Sequence, residues 1–243
     1  MLKAVDLRYA YPGRGEALKG VTAAFPAGLT LLAGANGGGK STLLRVLAGL
    51  YVADEGTIRN QGGDAIAPEK LREMSRLVMQ EADPQLLGAT VRDDVLLGKA
   101  SSAFPPERFD GEQNRLAARL GLEPVWNAPI DILSYGGRRK LCLLHALLAG
   151  PALLLLDEPF AALDYPASLE LRDFIAENLG RGVSLVVSTH DLEPLFDIAD
   201  WLVILKGGET ALEGKPRDLR GALAPLAVRP PGVFGGSAGC GRR

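Results

Sequence analysis

The sequence predicts an α/β fold with a mostly parallel core sheet. After residue 149, short apolar runs alternate with helix-like segments, which is typical of parallel strands joined by helical crossovers. Near the N-terminus, a glycine-rich segment lies between a strand-like run and a helix-like run. Residues 84–149 instead have helical patterns throughout, so we expect a helical subdomain inserted into the α/β core.

The strands are predicted from short runs that are apolar or that alternate apolar and polar residues. Residues 2–9 alternate in the manner of an edge strand, whereas residues 152–156 are continuously apolar, as in a buried strand. Glycine and proline turns separate the early runs. The predicted strands are 2–9, 17–25, 29–33, 57–59, 75–79, 152–156, 183–187, 201–205 and 209–212.

Helices are predicted where apolar residues recur at helical spacing. Pro105, followed by acidic residues, is typical of a helix N-terminus. We expect one domain over residues 1–224 and a poorly ordered tail, rich in Gly, Pro and Arg, over residues 225–243. The predicted helices are 43–48, 90–99, 105–120, 136–149, 165–179 and 191–199.

Composition excludes several classes of protein. The net charge of the 243-residue chain is −2 with charges of both signs mixed, which gives no reason to expect nucleic-acid binding. Two cysteines provide neither a disulfide framework nor a metal-binding spacing. No apolar run reaches the roughly 20 residues that span a bilayer. We therefore expect any membrane role to come through a partner.

The run GANGGGKST at residues 34–42 predicts a phosphate-binding loop. It fits the pattern GxxxxGK[ST], with the strand before it and the helix after it that this pattern requires. Its glycines let backbone N–H groups point at an anion, and the helix N-terminus adds a positive dipole end. Lys40 can reach the β- and γ-phosphates, and the Ser41 hydroxyl can ligate Mg²⁺. The residues predicted to bind nucleotide here are Gly34, Asn36, Gly37, Gly39, Lys40, Ser41 and Thr42.

Two carboxylates, Asp157 and Glu158, follow the apolar run 152–156. A buried acidic pair is unfavourable unless a cation or hydrogen bonds meet it. Opposite a phosphate loop that cation would be Mg²⁺, held by Asp157 directly or through water. Glu158 would then be the general base that polarises the attacking water. The alternative is a pair of solvated carboxylates at a strand end.

The two histidines have different expected roles. His190 follows the apolar run 183–187 at the same edge of the sheet, so it could contact a γ-phosphate; a loop or capping role is the alternative. His145 lies among leucines in the predicted helix 136–149, and the sequence indicates no partner for it.

Three further motifs follow in a fixed order, and with them the chain resembles the nucleotide-binding subunits of ATP-binding-cassette (ABC) transporters over nearly its whole length. They are Gln80 after an apolar strand, LSYGG at residues 133–137 before a helix, and ALD at residues 162–164 after the acidic pair. The resemblance implies an ABC-type phosphate-loop ATPase of α/β class. Its fold would have a mostly parallel core sheet, an antiparallel β subdomain and an inserted helical subdomain.

The resemblance also implies roles for single residues. Tyr11 looks like the aromatic residue that stacks on adenine, with Tyr9 as a competing candidate. Gln80 looks like the residue that ligates Mg²⁺ and links the site to the helical subdomain. The implied catalytic residues are Lys40, Glu158 and His190, and the implied metal ligands are Ser41, Gln80 and Asp157.

The resemblance further implies a site shared between two subunits. Ser134 and Gly136 would bind the γ-phosphate of ATP held by the other subunit, and Asp164 would cross the interface. ATP would join the two subunits, and hydrolysis would release them. The usual signature is LSGGQ, so here Tyr135 replaces a glycine and Gly137 replaces the glutamine. Since a lost hydrogen bond is worth about 1–3 kcal/mol, we expect a slower site rather than an inactive one.

Residues 78–86 and 90–95 resemble one branch of the family, the ATPases of energy-coupling-factor importers of cobalt, nickel or vitamins. In that branch two ATPases drive an integral membrane scaffold, which holds a small substrate-binding membrane protein. The scaffold docks near Gln80 and the helical subdomain. The resemblance thus implies a peripheral protein at the cytoplasmic face of the inner (plasma) membrane, paired with an identical or a related ATPase.

Two alternatives stay open at this point. One is the ATPase of another ABC system, either an exporter or a soluble assembly machine. The other is a module that dimerises on ATP with little hydrolysis, which the altered signature at residues 133–137 favours.

Overall fold

A computed structural model describes residues 1–102, 104–223 and 226. The strands in this part of the chain are β1 (Leu2–Ala10), β2 (Glu16–Phe25), β3 (Leu29–Ala33), β4 (Glu55–Arg59), β5 (Ser75–Val78), β6 (Leu153–Asp157), β7 (Ser184–Thr189), β8 (Trp201–Lys206) and β9 (Glu209–Gly214). The helices are α1 (Lys40–Leu47), α2 (Pro68–Met74), α3 (Val91–Leu97), α4 (Pro106–Leu120), α5 (Tyr135–Leu148), α6 (Tyr165–Leu179) and α7 (Pro216–Leu219).

The core sheet has the strand order β5-β6-β7-β3-β8-β9. Its first five strands are parallel, and β9 is antiparallel to β8. Both faces are buried: in β3, Leu31 packs into the core on the side of the inserted helices, and Leu32 into the core beneath α1. Burial on both faces explains the continuously apolar strands and confirms the predicted mostly parallel sheet.

A second, antiparallel sheet has the order β2-β1-β4. It lies against the end of the core sheet, where Lys19 N donates to Gly208 O at 2.8 Å and Ala24 N donates to Glu213 Oε2 at 2.8 Å. The apolar faces of β1 and β2 share one buried cluster with α1. This sheet is the antiparallel β subdomain of the predicted fold.

Three helices, α3, α4 and α5, lie between β5 and β6 in the chain and form the inserted helical part. Side chains fix two of their N-termini: Thr90 accepts the N–H of Asp93, and Ser134 accepts that of Gly137. α5 packs on both α4 and β5, so it joins the insertion to the core sheet. In the described part of the chain, no helix is long and apolar enough to cross a membrane.

Two predictions of local structure were wrong, and one helix was missed. Residues 2–9 form β1, which is the central strand of its sheet and not an edge strand. Residues 191–199 form turns and not a helix, because Asp191 Oδ1 takes the N–H of Glu193 and the backbone of Asp200 already pairs with Leu29 of β3. The helix α2 was not predicted, although Pro68 at its first position is a helix-start signal. The predicted tail, 225–243, lies outside the described residues except for Leu226, and the domain boundary at residue 224 stays a prediction.

Candidate nucleotide site at the strand ends

Four neighbouring parallel strands end at one edge of the core sheet, and the predicted site residues follow them. β5 leads to Gln80, β6 ends at Asp157, β7 leads to His190, and β3 leads to the glycine-rich loop. Crevices at the carboxyl ends of such strands are where ligands bind in α/β sheets. The cleft there has a volume of about 290 Å³ and is lined by Asn36, Gly37, Gly38, Lys40, Ser41, Gln80, Glu158, Ala161 and His190.

The glycine-rich loop is fixed by close backbone contacts. Gly34 and Gly39 have φ values of 143° and 99°, a region that favours glycine. A Cβ on Gly34 would collide with the carbonyl of Leu205, and one on Gly39 would lie 2.7 Å from Ala17 O. α1 begins directly after Gly39 without a side-chain cap. The first N–H groups of α1 are therefore left for an anion.

Lys40 is buried, with 6% of its surface exposed, although it carries a charge. Its Nζ donates to Gly34 O at 2.8 Å and lies 3.4 Å from Glu158 Oε1. These contacts hold the amino group inside the loop, next to the carboxylate from β6. A buried cation at this position suits the phosphates of a nucleotide.

Asp157 is buried and accepts two hydroxyl hydrogen bonds on one oxygen. Ser41 Oγ donates to Asp157 Oδ1 at 3.0 Å, and Ser188 Oγ donates to the same atom at 2.6 Å. Ser188 Oγ also accepts the N–H of Glu158 at 2.9 Å. Sequence reasoning assigned no role to Ser188. The sequence feature that could have indicated Ser188 is its position near the end of β7. There its backbone pairs in register with Asp157.

Glu158 has an unusual backbone and a buried side chain. Its φ is 46°, which is uncommon for any residue other than glycine. Its Oε2 lies 2.9 Å from His190 Nδ1, while the His190 ring is mostly exposed. The carboxylate thus lies between the buried Lys40 and the exposed His190, at the cleft wall where a water molecule can approach.

Tyr11 lies beside the loop, and its hydroxyl is 3.1 Å from Thr42 Oγ1. Its competitor, Tyr9, is stacked on Tyr51 with ring centroids 5.0 Å apart and nearly parallel planes. The Tyr11 ring is nearly perpendicular to both of these rings, so it is not stacked on either of them. This arrangement favours Tyr11 over Tyr9 as the ring for a base.

Three predicted site residues at the N-termini of α5 and α6 do not line this cleft. Ser134 and Gly136 are at the N-terminus of α5 and line a separate, mostly apolar cavity of about 420 Å³. Asp164 is exposed and caps α6 by accepting the N–H of Ala167 at 2.9 Å. Within one chain these residues do not line the cleft, and their expected role toward a partner subunit stays a prediction.

His145 has a partner that the sequence did not indicate. Its Nε2 lies 2.8 Å from Oδ2 of the buried Asp94, whose Oδ1 accepts the N–H groups of Leu87 and Gly88, both at 2.7 Å. Burial alone would raise the pKa of Asp94, but the His145 ring and the two N–H groups outweigh it, so this pKa lies below its usual range. The pair ties α5 to α3, and Asp94 in turn holds the loop before α3.

Comparison with known proteins gives a consistent result. The family model described as "ABC transporter" matches residues 18–161. The nickel import ATP-binding protein NikO of Rhodobacter capsulatus is 36% identical, over 94% of this chain and 95% of that protein. The energy-coupling factor transporter ATP-binding protein EcfA of Carboxydothermus hydrogenoformans is 32% identical, over 92% of this chain and 87% of that protein. The solved structure of cbiO1 from Clostridium perfringens, part of the ABC transporter complex cbiONQ, has a TM-score of 0.79 and 28% identity, and covers 94% of each chain.

Proposed function

The chain belongs to the ABC transporter family of ATP-binding subunits, which hydrolyse ATP, and from this premise we propose that it powers the import of a small substrate through a membrane partner. The substrate would be nickel, cobalt or a vitamin. The observation that carries the proposal is the convergence of Lys40, Glu158, Gln80 and His190 in one cleft, on a chain with importer ATPases as relatives over nearly its full length.

The cleft residues have distinct tasks in hydrolysis. Lys40 and the N–H groups at the start of α1 bind the β- and γ-phosphates, and Tyr11 stacks on the adenine. Glu158 orients the attacking water and takes its proton, because its buried carboxylate faces the cleft. His190, whose Nδ1 is 2.9 Å from Glu158 Oε2, holds that carboxylate in place and contacts the γ-phosphate.

The donor set at Asp157 fits Mg²⁺. Ser41 and Asp157 already have their oxygens 3.0 Å apart, and hydroxyl and carboxylate oxygens are ligands that Mg²⁺ prefers. Gln80 lines the same cleft and supplies a third oxygen. No cluster of three or more His, Cys, Asp or Glu side chains suited to a metal occurs among the described residues. In this proposal the nucleotide's phosphates would supply further ligands. When bound, Mg²⁺ would neutralise phosphate charge.

A second subunit completes the site in this proposal. Ser134, at the N-terminus of α5, and Asp164, at the N-terminus of α6, are exposed and lie outside their own cleft. Two chains that meet head to tail would each place this surface over the other's γ-phosphate. The second ATPase is a copy of this chain or a related one.

The membrane partner would dock on the helical part, at the cytoplasmic face of the membrane. Leu96 and Leu97 at the end of α3 are 42% and 60% exposed, and Leu87 in the preceding loop is 82% exposed. Asp94 ties that loop to α3 through the N–H of Leu87. Exposed leucines next to the segment that carries Gln80 suit a helix of an integral membrane scaffold.

The test is affinity purification of the tagged chain from detergent-solubilised membranes of the native cell, with the co-eluting proteins identified by mass spectrometry. A multi-spanning scaffold together with a small membrane protein is expected, and the small protein would indicate the substrate. Recovery of soluble partners alone would overturn the import proposal and leave ATP hydrolysis unaffected.

A matched pair of variants sharpens this experiment. Leu97→Glu should abolish recovery of the scaffold, whereas Leu169→Glu on α6, where Leu169 is 43% exposed, should not. Equal recovery of the scaffold with both variants would remove the end of α3 from the docking surface.

A weakly hydrolysing dimerisation module is the second candidate, and one observation favours it. Gly137 occupies the place of the signature glutamine, so the side-chain contact to the partner's nucleotide is missing. Phosphate release by the purified chain with Mg²⁺ and ATP separates the two candidates, because sustained turnover is expected only from a transport ATPase.

A further inference from the structure

Arg139 is a buried cation that sequence reasoning did not single out. It lies on α5 and is 3% exposed, and its hydrogen-bond partners among the described residues include no carboxylate. A buried charge without a carboxylate is unfavourable unless several hydrogen bonds satisfy it. Burial indeed lowers the pKa of this guanidinium. Burying this charge lowers the stability of the fold, so stability alone does not explain the residue. The groups that it contacts indicate its role.

The guanidinium joins two segments that wall the cleft. Its Nη1 donates to the carbonyls of Pro159 at 2.6 Å and Ala161 at 3.0 Å, directly after Glu158. Its Nη2 donates to the carbonyl of Gln80 at 2.9 Å. Gln80, Glu158 and Ala161 all line the cleft. One side chain on α5 therefore connects the metal-ligand segment with the segment of the general base.

Tyr135 is the second member of this network. Its hydroxyl donates to Gln80 O at 2.7 Å and accepts from Arg139 Nη2 at 2.7 Å. The guanidinium carbon lies 4.8 Å from the centroid of the tyrosine ring, a cation–π distance. The tyrosine in the third place of the signature thus faces its own subunit's Gln80 segment.

We propose that Arg139, with Tyr135, is a positioning residue for ATP hydrolysis, which fixes the Gln80 segment and the Glu158–Ala161 segment to the signature helix α5. The inference rests on the proposed ATP site and assigns two further residues to it. Glu158 and Ala162 have φ values of 46° and 60°, so this segment needs outside contacts to keep its shape. Arg139 supplies them from α5. If α5 shifts when a partner subunit binds, Arg139 would shift the backbone at Gln80 and the segment after Glu158 with it.

An arginine suits this task better than a lysine. The planar guanidinium offers donors in a fixed fork, and here they reach three carbonyls and a hydroxyl at once. A lysine keeps the charge but cannot hold that geometry. The conservative variant therefore separates positioning from charge.

Steady-state ATP hydrolysis tests the proposal through four variants of the full chain. Arg139→Gln should lower kcat by roughly tenfold to a hundredfold, since a misplacement of about 1 Å can cost that much. The KM for ATP should stay within about twofold, because Lys40 and the loop are unchanged. Arg139→Lys should recover part of kcat, and Tyr135→Phe should show a smaller fall in kcat. Arg172→Gln is the control, since Arg172 on α6 pairs with Asp197 and Pro194 O, outside both segments and outside the cleft.

Hydrogen–deuterium exchange supplies a readout that does not depend on activity. In Arg139→Gln, both residues 78–88 and residues 158–164 should exchange faster, while α1 should not. A kcat within twofold of the parent, or faster exchange in only one of the two segments, would overturn the proposal. Failure to recover membrane proteins would instead overturn import and leave this inference standing.

Discussion

The chain has two glycine-containing helix N-termini that we assign to ATP, and they are built differently. At α1, Gly39 has a φ of 99° and its Cβ would lie 2.7 Å from Ala17 O. At α5, Gly136 has helical geometry, and its Cβ would find no heavy atom closer than Ser134 Oγ at 4.0 Å. The first N-terminus has no side-chain cap, whereas Ser134 caps the second.

This difference shows why each of the two positions has a glycine. The fold of the chain itself demands glycine at position 39, because backbone atoms of the same chain surround it. At position 136, no contact with the described residues demands glycine. In the proposed dimer this glycine would face the partner's nucleotide at the helix end. The phosphate loop can thus be tested on one chain, and the signature only on two.

The largest effect is expected from Glu158→Gln. This substitution changes the cleft that a single chain forms around the phosphate loop. The amide cannot take a proton, so turnover should fall by roughly 10²–10⁴-fold, the usual contribution of a general base. ATP binding should persist, and the variant should accumulate as an ATP-bound dimer. Size-exclusion chromatography with and without ATP measures this, and an unchanged elution volume would remove Glu158 from the role of base.

Gly39→Ala and Gly136→Ala compare the two helix N-termini directly. An alanine at residue 39 would need a left-handed backbone conformation, which alone costs about 1–2 kcal/mol. Its Cβ would also lie 2.7 Å from Ala17 O. ATP affinity of the single chain should fall by roughly tenfold or more.

Gly136→Ala should instead leave single-chain ATP affinity unchanged and impair ATP-driven dimerisation, and its Tm should be equal to or slightly above that of the parent, because alanine favours the helix. Fluorescent-nucleotide titration and thermal unfolding of both variants are the measurements. Equal losses of ATP affinity would contradict the proposed division between the two N-termini.

Gly137→Gln restores the signature glutamine and should raise turnover by about tenfold, the equivalent of one hydrogen bond of about 1.4 kcal/mol. The position tolerates a side chain, since a Cβ there lies 3.4 Å from its closest neighbours, Leu133 Cβ and Ser134 Oγ. Phosphate release at saturating ATP is the assay. Gly137→Ala controls for helix propensity, and turnover of Gly137→Gln no faster than that of the control would contradict the missing-contact account.

The smallest effect is expected at Asp94 on α3, which pairs with His145 in the last turn of α5. This pair lies away from the N-termini of α1 and α5. Asp94→Asn should lower the free energy of unfolding by about 1–3 kcal/mol at pH 7, because a buried charged hydrogen-bond acceptor is lost. The pKa of Asp94 lies below its usual value in the folded chain. Its stabilisation is therefore present above about pH 3.9 and lost as the pH falls through the folded-state pKa.

Urea unfolding at pH 7 and at pH 3 should accordingly show a gap between parent and variant that shrinks in acid. Asp110→Asn is the control, since Asp110 is exposed in its pair with Lys99 and should matter little. A gap that widens in acid would contradict the assigned pKa direction.

The sequence predicted the phosphate loop, the acidic pair and the sheet class because each has a local signature. A GxxxxGK[ST] run between a strand and a helix, and an apolar run that ends in carboxylates, are visible within ten residues. Residues 191–199 show the limit of this reasoning, because a helical apolar pattern there was overridden by hydrogen bonds to Thr189 and to β3. The bond to Thr189 is a local side-chain bond that competes with a helix, whereas the tertiary bond to β3 leaves no mark on local periodicity.

The sequence by itself determined which chemistry the chain carries: Lys40, Ser41, Asp157, Glu158 and His190, in an order that identifies the family. Only the tertiary structure decided how these residues are held. The strand order β5-β6-β7-β3 places Ser188 on Asp157, and the packing of α5 places Arg139 between Gln80 and Ala161. These partners are more than 20 residues apart in the chain. Their contacts depend on which elements pack together, and no local pattern of residue types encodes that.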